Sequence, residues 1–293
     1  MPPRLSVIIP CFNSEATLGA QLSALAAQSS AYSWEVLVAD NGSRDSTAAV
    51  AISFKDRLPV LRVVDASAKR GAAYARNAGA QAAHGTALLF CDADDEMAGG
   101  YLEAMGRALE GHDFIACRYD FSKLNHSWLV HARGGVGQGQ GLAGGYCHPT
   151  LPYAGAGGLG IAKSVHESVG GFDMTLKAAA GQEDTDYCIR VQLAGTPLVF
   201  VSDAVMHVRF RDTVPGVFNQ AWAWAESGAY VQRRYAPQAA PASVSRTAYD
   251  LARHLAWKLV RVRTQGDLAQ WLWLAGWCGG LVSARRTLER ERE

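Results

Sequence analysis

The chain has 293 residues, 49% of them apolar, with 28 Lys and Arg against 27 Asp and Glu for a net charge of +1. That length supports one large domain or a domain with an appended piece, and the near-balanced charge excludes both a polyelectrolyte partner such as nucleic acid and intrinsic disorder. Six cysteines (Cys11, Cys91, Cys117, Cys147, Cys188 and Cys278) stand without a Cys-x-x-Cys pair, which argues against a zinc ribbon or a disulfide framework and for a reducing compartment, the cytoplasm. Met1 to Arg4 lead straight into an apolar run, leaving no room for a secretory signal. That run, Leu5 to Ile9 closed by Pro10, reads as a buried parallel strand. A helix follows, with Asn13 or Ser14 as its cap and Leu18, Leu22 and Leu25 as its apolar stripe. Glu35 to Ala39 is a second strand, ending in the turn-forming Asp40-Asn41-Gly42-Ser43. A helix from Ser46 to Phe54, a strand from Val60 to Val64 and an alanine-rich helix from Gly71 to His84 come next.

The strand Leu88 to Phe90 runs through Cys91 into Asp92-Ala93-Asp94-Asp95-Glu96. Carboxylates this close repel one another and would be driven towards protonation without a cation among them. A hard divalent ion, Mg²⁺ or Mn²⁺, suits such a cluster, and these ions combine a few carboxylates with substrate phosphates. The alternative is a solvated acidic turn at the start of the next helix. The alternating elements predict a mostly parallel sheet with helices on both faces, with ligands bound beyond the carboxyl ends of the strands. Residues 10–13, 40–43 and 92–96 all lie at such ends, so three polar strand ends converge on one crevice.

After a strand at Asp113 to Cys117, regularity lapses. A formal GxGxxG at Gly139, Gly141 and Gly144 has no strand before it or helix after it, so it reads as a loop and not a dinucleotide site. A helix over Ala162 to Val169 precedes the turn Gly170 to Asp173, and Gln182-Glu183-Asp184 opens a helix running to Leu193. Acids in a first turn gain only up to about 1 kcal/mol from the helix dipole, which is an ordinary reason for their presence. A strand at Leu198 to Val201 leads through Asp203 to His207. From Phe218 onward eleven Lys and Arg face six Asp and Glu, a net +5 that leaves −4 for the first 217 residues. Within this basic tail Leu268 to Ala284 is uncharged and contains Trp271, Trp273 and Trp277. Such a stretch fits a helix at a bilayer surface, packing on the catalytic domain or a partner subunit, or, at the short limit, a span.

Several motifs in this order resemble those of the inverting glycosyltransferases of family 2, which have the GT-A fold, over about Leu5 to Arg211. They are Ser6 to Asn13, Val38 to Thr47, Lys69 to Asn77, Asp92-Ala93-Asp94 as a DxD, Gly170 to Asp173, and Gly181 to Arg190. The resemblance implies an α/β GT-A (Rossmann-like), mostly parallel sheet flanked by helices, over residues 1–211. Residues 1–120 would be the nucleotide-sugar half and 121–211 the acceptor-side half. A helical extension over 212–293 would follow, meeting membrane or a partner. The implied reaction is metal-dependent, inverting transfer of one hexosyl or N-acetylhexosaminyl group from a nucleoside-diphosphate sugar to a hydroxyl of a glycan, lipid-linked or small-molecule acceptor. By the same resemblance Pro10, Phe12 and Asn13 line the nucleoside pocket, with Phe12 stacking. Asp40 and Asn41 read the base edge, Arg76 sits near base or diphosphate, and Asp92 and Ala93 contact the donor. Asp94 holds Mg²⁺ or Mn²⁺, with His207 where some members supply a further ligand; a lone histidine can equally be structural. Asp184 is the general base and Glu183 orients the acceptor or caps the helix.

Two departures bear on specificity. Asn41 stands where the family often has Asp, so UDP is the leading but not the exclusive donor nucleotide. The Gln-x-x-Arg-Trp motif of processive relatives is absent, which implies one transfer per binding event. A haloacid-type phosphatase would need its aspartates at the first strand, and a sugar-nucleotide-forming nucleotidyltransferase would need a Gly-rich loop after it. A catalytically inactive subunit or binding protein of the same fold would be expected to lack Asp94 or Asp184, and both are present.

Overall fold

The computed structural model describes residues 4–133, 137–144, 147–176, 181–235 and 244–290. Its centre is an eight-stranded sheet in the order β3-β2-β1-β4-β7-β6-β8-β5. The strands are β1 (Leu5–Cys11), β2 (Trp34–Asp40), β3 (Leu61–Asp65), β4 (Ala87–Phe90), β5 (Glu96–Met97), β6 (Phe114–Asp120), β7 (Leu159–Ala162) and β8 (Val199–His207). The half containing β1 to β4 is parallel, as the continuous apolar runs predict. Beyond it β7 pairs antiparallel with both β4 and β6, and β5 antiparallel with β8, so the sheet is mixed. The sequence reading missed β7 and placed a helix on Ala162, which is the last residue of that strand. The alternative that the acidic residues simply start the next helix does not hold for Glu96, which opens β5, and α4 (Tyr101–Gly111) starts later.

Successive side chains of β1 serve opposite faces. Leu5, Val7 and Ile9 join Leu18, Leu22 and Leu25 of α1 (Leu18–Ala26) and Tyr101 and Met105 of α4. Ile8 joins Leu37, Phe90, Phe172 and Tyr187 on the other. The other α-helices described before β8 are α2 (Thr47–Ser53), α3 (Ala72–Ala82), α5 (Ser127–Arg133), α6 (Lys163–Ser168) and α7 (Glu183–Leu193). The small residues of α3 let it lie close against β1: a Cβ on Gly79 would stand 2.5 Å from Ile8 Cγ2. That approach carries Arg76, one turn earlier, into the crevice. The expected cap of α1 is not made by Asn13 or Ser14 side chains. Asn13 instead ties the end of β1 to the loop after β2, donating from its backbone N to Ser43 Oγ (3.0 Å) and accepting from Arg44 N (2.9 Å).

Three helices follow β8: α8 (Val214–Tyr235), α9 (Val244–Leu259) and α10 (Gln265–Arg290). The uncharged Trp-rich stretch lies in α10, and its composition follows from packing. A Cβ on Gly276 would meet Phe218 O at 2.4 Å and one on Gly280 would meet Trp222 O at 2.2 Å, so these glycines bring α10 against the α8 backbone. Trp273 packs edge-on to Trp224 and stacks on Trp277, while Trp271 Nε1 donates to Leu255 O (2.8 Å). Among the described residues no helix is long and apolar enough to cross a membrane. All six cysteines are free and buried. The end of α8 is bolted to α7 through Asp186, which is fully buried and accepts from Arg190 Nε (2.7 Å), Arg234 Nη1 (3.0 Å) and Tyr235 Oη (2.6 Å).

Candidate active site

The turn after β4 is fixed from below by the buried side chain of Gln21, which donates to Asp92 O (3.3 Å) and accepts from Met97 N (3.0 Å). Ala93 is buried within the turn. Asp95, only 3% exposed, accepts from Arg209 N (2.9 Å), and Arg209 Nε donates to the Asp94 carbonyl (3.1 Å). Burial, with Asp92 next to it, raises the Asp94 carboxyl above its ordinary range; Arg211 and Arg209 temper the rise. Burial, Asp92 and Asp94 drive Asp95 well above that range. Among the described residues no three His, Cys, Asp or Glu side chains converge as a metal cage. Glu96 pairs with Lys123 (2.7 Å) outside the crevice.

Opposite the turn, Gly181 (φ +74°) and Gln182 (φ +81°) swing the chain into α7. A Cβ on Gly181 would press within 3.0 Å of Trp224 Nε1, so α8 and a left-handed backbone both demand glycine there. Glu183 and Asp184 thus open α7 at the crevice. Arg76, 4% exposed, joins the two acid groups: Nη2 donates to Asp92 Oδ1 and Nη1 to Glu183 Oε1, each at 2.8 Å. Asp184 receives no such partner. Its Oδ1 accepts from Thr185 N (2.7 Å) and its Oδ2 from Ala156 N (3.4 Å). Burial and the neighbouring Glu183 raise its pKa to about 6, despite the opposing pull of Arg76.

The segment Gly155–Gly158, just before β7, bridges the two groups and was not singled out from sequence. Ala156 faces Asp184, and a Cβ on Gly157 would stand 2.9 Å from Asp92 Oδ2 and 3.2 Å from Asp95 Oδ2. The dense glycines of 155–160 were its only signal. Gln138, just before the rejected glycine motif, holds this segment by accepting from Gly155 N (2.8 Å) and donating to Cys117 O (3.0 Å). Arg209 and Arg211 were likewise missed, because nothing in the sequence marks which arginines after β8 face the turn. His207 Nδ1 lies 2.6 Å from Asp120 Oδ2. A carboxylate only accepts, so Nδ1 donates in this bond and Nε2 is the ring nitrogen not used by Asp120. Hydrogen bonds from Ser122 and His207 outweigh the burial of Asp120 and hold it at about 2.

At the carboxyl ends of the paired β1 and β2 stand Pro10, one residue before the end of β1, and Asp40, the last residue of β2. Phe12 is 47% exposed, and the Arg70 guanidinium covers one face of its ring at 4.0 Å. Asp40 Oδ1 accepts from Ser43 N (2.9 Å) and Oγ (2.6 Å), leaving Oδ2 outside that turn. The expectation that Asn41 reads a base edge does not match its placement. Asn41 is 5% exposed; its amide donates to the carbonyls of Ala66 and Lys69 and accepts from Gly71 N, so it fastens the β3–α3 connection instead.

The sheet order and the helices on both faces belong to the GT-A class of α/β fold. TarS of Staphylococcus aureus, residues 1–349 in complex with UDP-GlcNAc, superposes with a TM-score of 0.55 at 15% identity, covering 98% of this chain and 92% of that one. The mannosyltransferase PcManGT of Pyrobaculum calidifontis, in complex with GDP-Man and Mn²⁺, gives 0.57 at 18%, covering 100% and 76%. The sequence model described as Glycosyl transferase family 2 matches residues 6–169, more than half of the chain, and the chain belongs to that family. Validoxylamine A glucosyltransferase of Streptomyces hygroscopicus subsp. limoneus is 37% identical over 135 residues, 44% of this chain and 30% of that protein. The Escherichia coli UDP-Glc:alpha-D-GlcNAc-diphosphoundecaprenol beta-1,3-glucosyltransferase WfgD is 35% identical over 91 residues, 31% and 35% respectively. The matched segments thus span about a third of each of these curated relatives.

Proposed function

We propose that residues 1–211 catalyse inverting transfer of one sugar from a nucleoside-diphosphate sugar, UDP favoured, to a hydroxyl acceptor, with 212–293 as a supporting extension. The observation that carries this reading is the Arg76 bridge, which sets the acidic turn and the acid pair of α7 side by side on one cation. Asp184 is the general base. With a pKa near 6 it is largely ionised at neutral pH, yet basic enough to take the acceptor proton as the oxygen attacks the anomeric carbon. The new carbon–oxygen bond forms as the bond to the diphosphate breaks, and the electron pair leaves with the diphosphate. With one base and no nucleophilic side chain assigned between donor and acceptor, a single displacement inverts the anomeric centre. The Ala156 amide orients Asp184, and Glu183, held by Arg76, orients the acceptor.

The acidic turn fits a hard divalent ion, Mg²⁺ or Mn²⁺: Asp94 is buried enough to want a cation, and a lone carboxylate ligand suits ions completed by substrate phosphates. Asp94, with His207 Nε2, would hold it, and the ion would neutralise charge on the departing diphosphate. Arg209 and Arg211 add positive charge on the same side. Pro10, Phe12, Asn13 and Asp40 line the nucleoside, with Asn41 positioning the loop behind them. The donors named for TarS and PcManGT, and the Mn²⁺ of the latter, support this reading, and the acceptor named for WfgD supports a lipid-linked glycan among the acceptor classes. The extension then places a cytoplasmic protein at the inner face of a membrane, with self-association as the competing use.

The test is a thermal-shift panel of UDP, GDP, dTDP and CDP with and without Mn²⁺, followed by NMR of the anomeric proton of the product. Stabilisation by one nucleotide that grows with Mn²⁺, and an inverted product, are expected. Retention of configuration would overturn the single-displacement mechanism; indifference to every nucleotide would overturn the donor assignment.

A further inference from the structure

We infer that the turn joining α9 to α10 is the surface by which this protein contacts a membrane, and that the lipid it recognises is anionic. This rests on reading the extension as peripheral to a membrane and moves the contact away from the tryptophans of α10, which are engaged in packing within the helical extension. Exposed apolar side chains gather at the turn: Trp257 is 50% exposed, Leu259 48%, Val260 68% and Leu268 39%. Arg253, Lys258, Arg261 and Arg263 surround them, and among the described residues none of these side chains has a carboxylate partner. Arg261 lies flat over the Trp257 ring at 3.4 Å, and Arg263 Nη1 donates to the carbonyls of Val260 and Val262. The acid that follows the turn, Asp267, is engaged, accepting from Arg263 N, Thr264 N and Thr264 Oγ1 at the start of α10.

Exposed apolar side chains at a turn, ringed by cations that have no carboxylate partner among the described residues, match a bilayer interface: aromatic and aliphatic groups enter the headgroup region while Lys and Arg meet lipid phosphates. A second copy of the chain is a poor occupant, because a two-fold interface apposes the same patch and would set these cations against their own symmetry mates. The turn is also placed for the task. A Cβ on Gly266 would stand 3.2 Å from Trp128 O, so the start of α10 packs on α5. At the entry to α5, Asn125 donates to Val208 O (2.7 Å) and accepts from Phe210 N (2.7 Å), on either side of the Arg209 that binds Asp95. A bilayer at the turn therefore lies on the acceptor-side half of the crevice.

Co-sedimentation of the full chain with vesicles of phosphatidylcholine alone, and of an equal mixture with phosphatidylglycerol, tests this. Binding to the mixed vesicles that weakens in high salt is expected. Lys258→Glu with Arg261→Glu and Arg263→Glu should lower the partition coefficient by roughly a hundredfold, about fivefold for each cation lost. Val260→Asp should also lower it, and both variants should keep the thermal midpoint and nucleotide binding of the parent, since these side chains are at the surface. If the parent binds mixed vesicles and both variants bind equally well, the turn is the wrong surface although the peripheral reading stands. If the parent binds neither vesicle, both fail; a dimer that Val260→Asp dissociates would then assign the patch to a second copy.

Discussion

The acidic turn at Asp92 to Glu96 and the acids that open α7 are built from the same residue types, yet the protein treats them differently. In the turn, Asp95 is buried and Asp94 half-buried beside it, and the arginines near them, Arg209 and Arg211, only soften the rise in their affinity for protons. On α7 the cations are rationed residue by residue. Asp186 receives Arg190 and Arg234 together with the Tyr235 hydroxyl; Glu183 receives one arm of Arg76; Asp184 receives the amides of Thr185 and Ala156 and the Thr185 hydroxyl, and among the described residues no cation. Among the described residues Asp94, Asp95 and Asp184 are left without an ion pair, and two of these three are the acids proposed above for a metal and for a proton.

Removing the unpaired acid of α7 should have the largest effect. Asp184→Asn should lower turnover about 10²–10⁴-fold while leaving nucleotide binding by calorimetry intact, and retention of more than a few per cent of turnover would exclude it as the base. Arg76→Met cuts the link between the two groups and strands two carboxylates. It should destabilise the fold by about 3–5 kcal/mol in urea titrations, and an unchanged midpoint would mean the bridge is not a structural joint. In the turn, Asp94→Ala should erase the Mn²⁺-dependent part of nucleotide stabilisation, about 2.7 kcal/mol at a hundredfold excess over Kd. Asn41→Asp turns a donor into a third party of oxygens facing the Ala66 and Lys69 carbonyls. It should cost about 1–3 kcal/mol without changing which nucleotide is preferred; a switch in preference would restore Asn41 as a base reader.

The smallest effect is one of pH, and its sign separates stability from activity. Asp184 has a raised pKa in the folded protein, so the stability it contributes is complete below its ordinary value of 3.8 and is lost as pH rises through about 6. Turnover should climb over the same interval. Measured against Asp184→Asn, the parent should therefore lose relative stability between these limits while gaining activity, and a parallel rise of both would contradict the assignment.

The parallel half of the sheet was legible because β1, β2 and β4 are near-continuous apolar runs, and polar residues at their ends mark the crevice. The order of the motifs carried the family. What escaped the sequence depends on distant partners. β7 is four residues, Leu159 to Ala162, whose strand character comes from lying between β4 and β6. The Gly155–Gly158 bridge is visible only once two acid groups converge on it. The tryptophans of α10 look interfacial in one dimension because uncharged residues are needed equally by a helix pressed on α8. Asn41 was misread because polarity at a strand end does not tell whether an amide faces ligand or backbone.

The closure of Asp186 by Arg234 and Tyr235 bears on where this chain can be divided. The family match stops at residue 169 and the resemblance carried by the motifs at about Arg211, which invites truncation there. A fragment ending at that point would keep the Asp186 carboxylate, which has no exposure here, and lose two of its three donors, on the same helix turn as Asp184. The smallest unit able to fold around α7 therefore runs at least through Tyr235, and the first helix of the extension belongs to the foundation of the fold, not to its periphery.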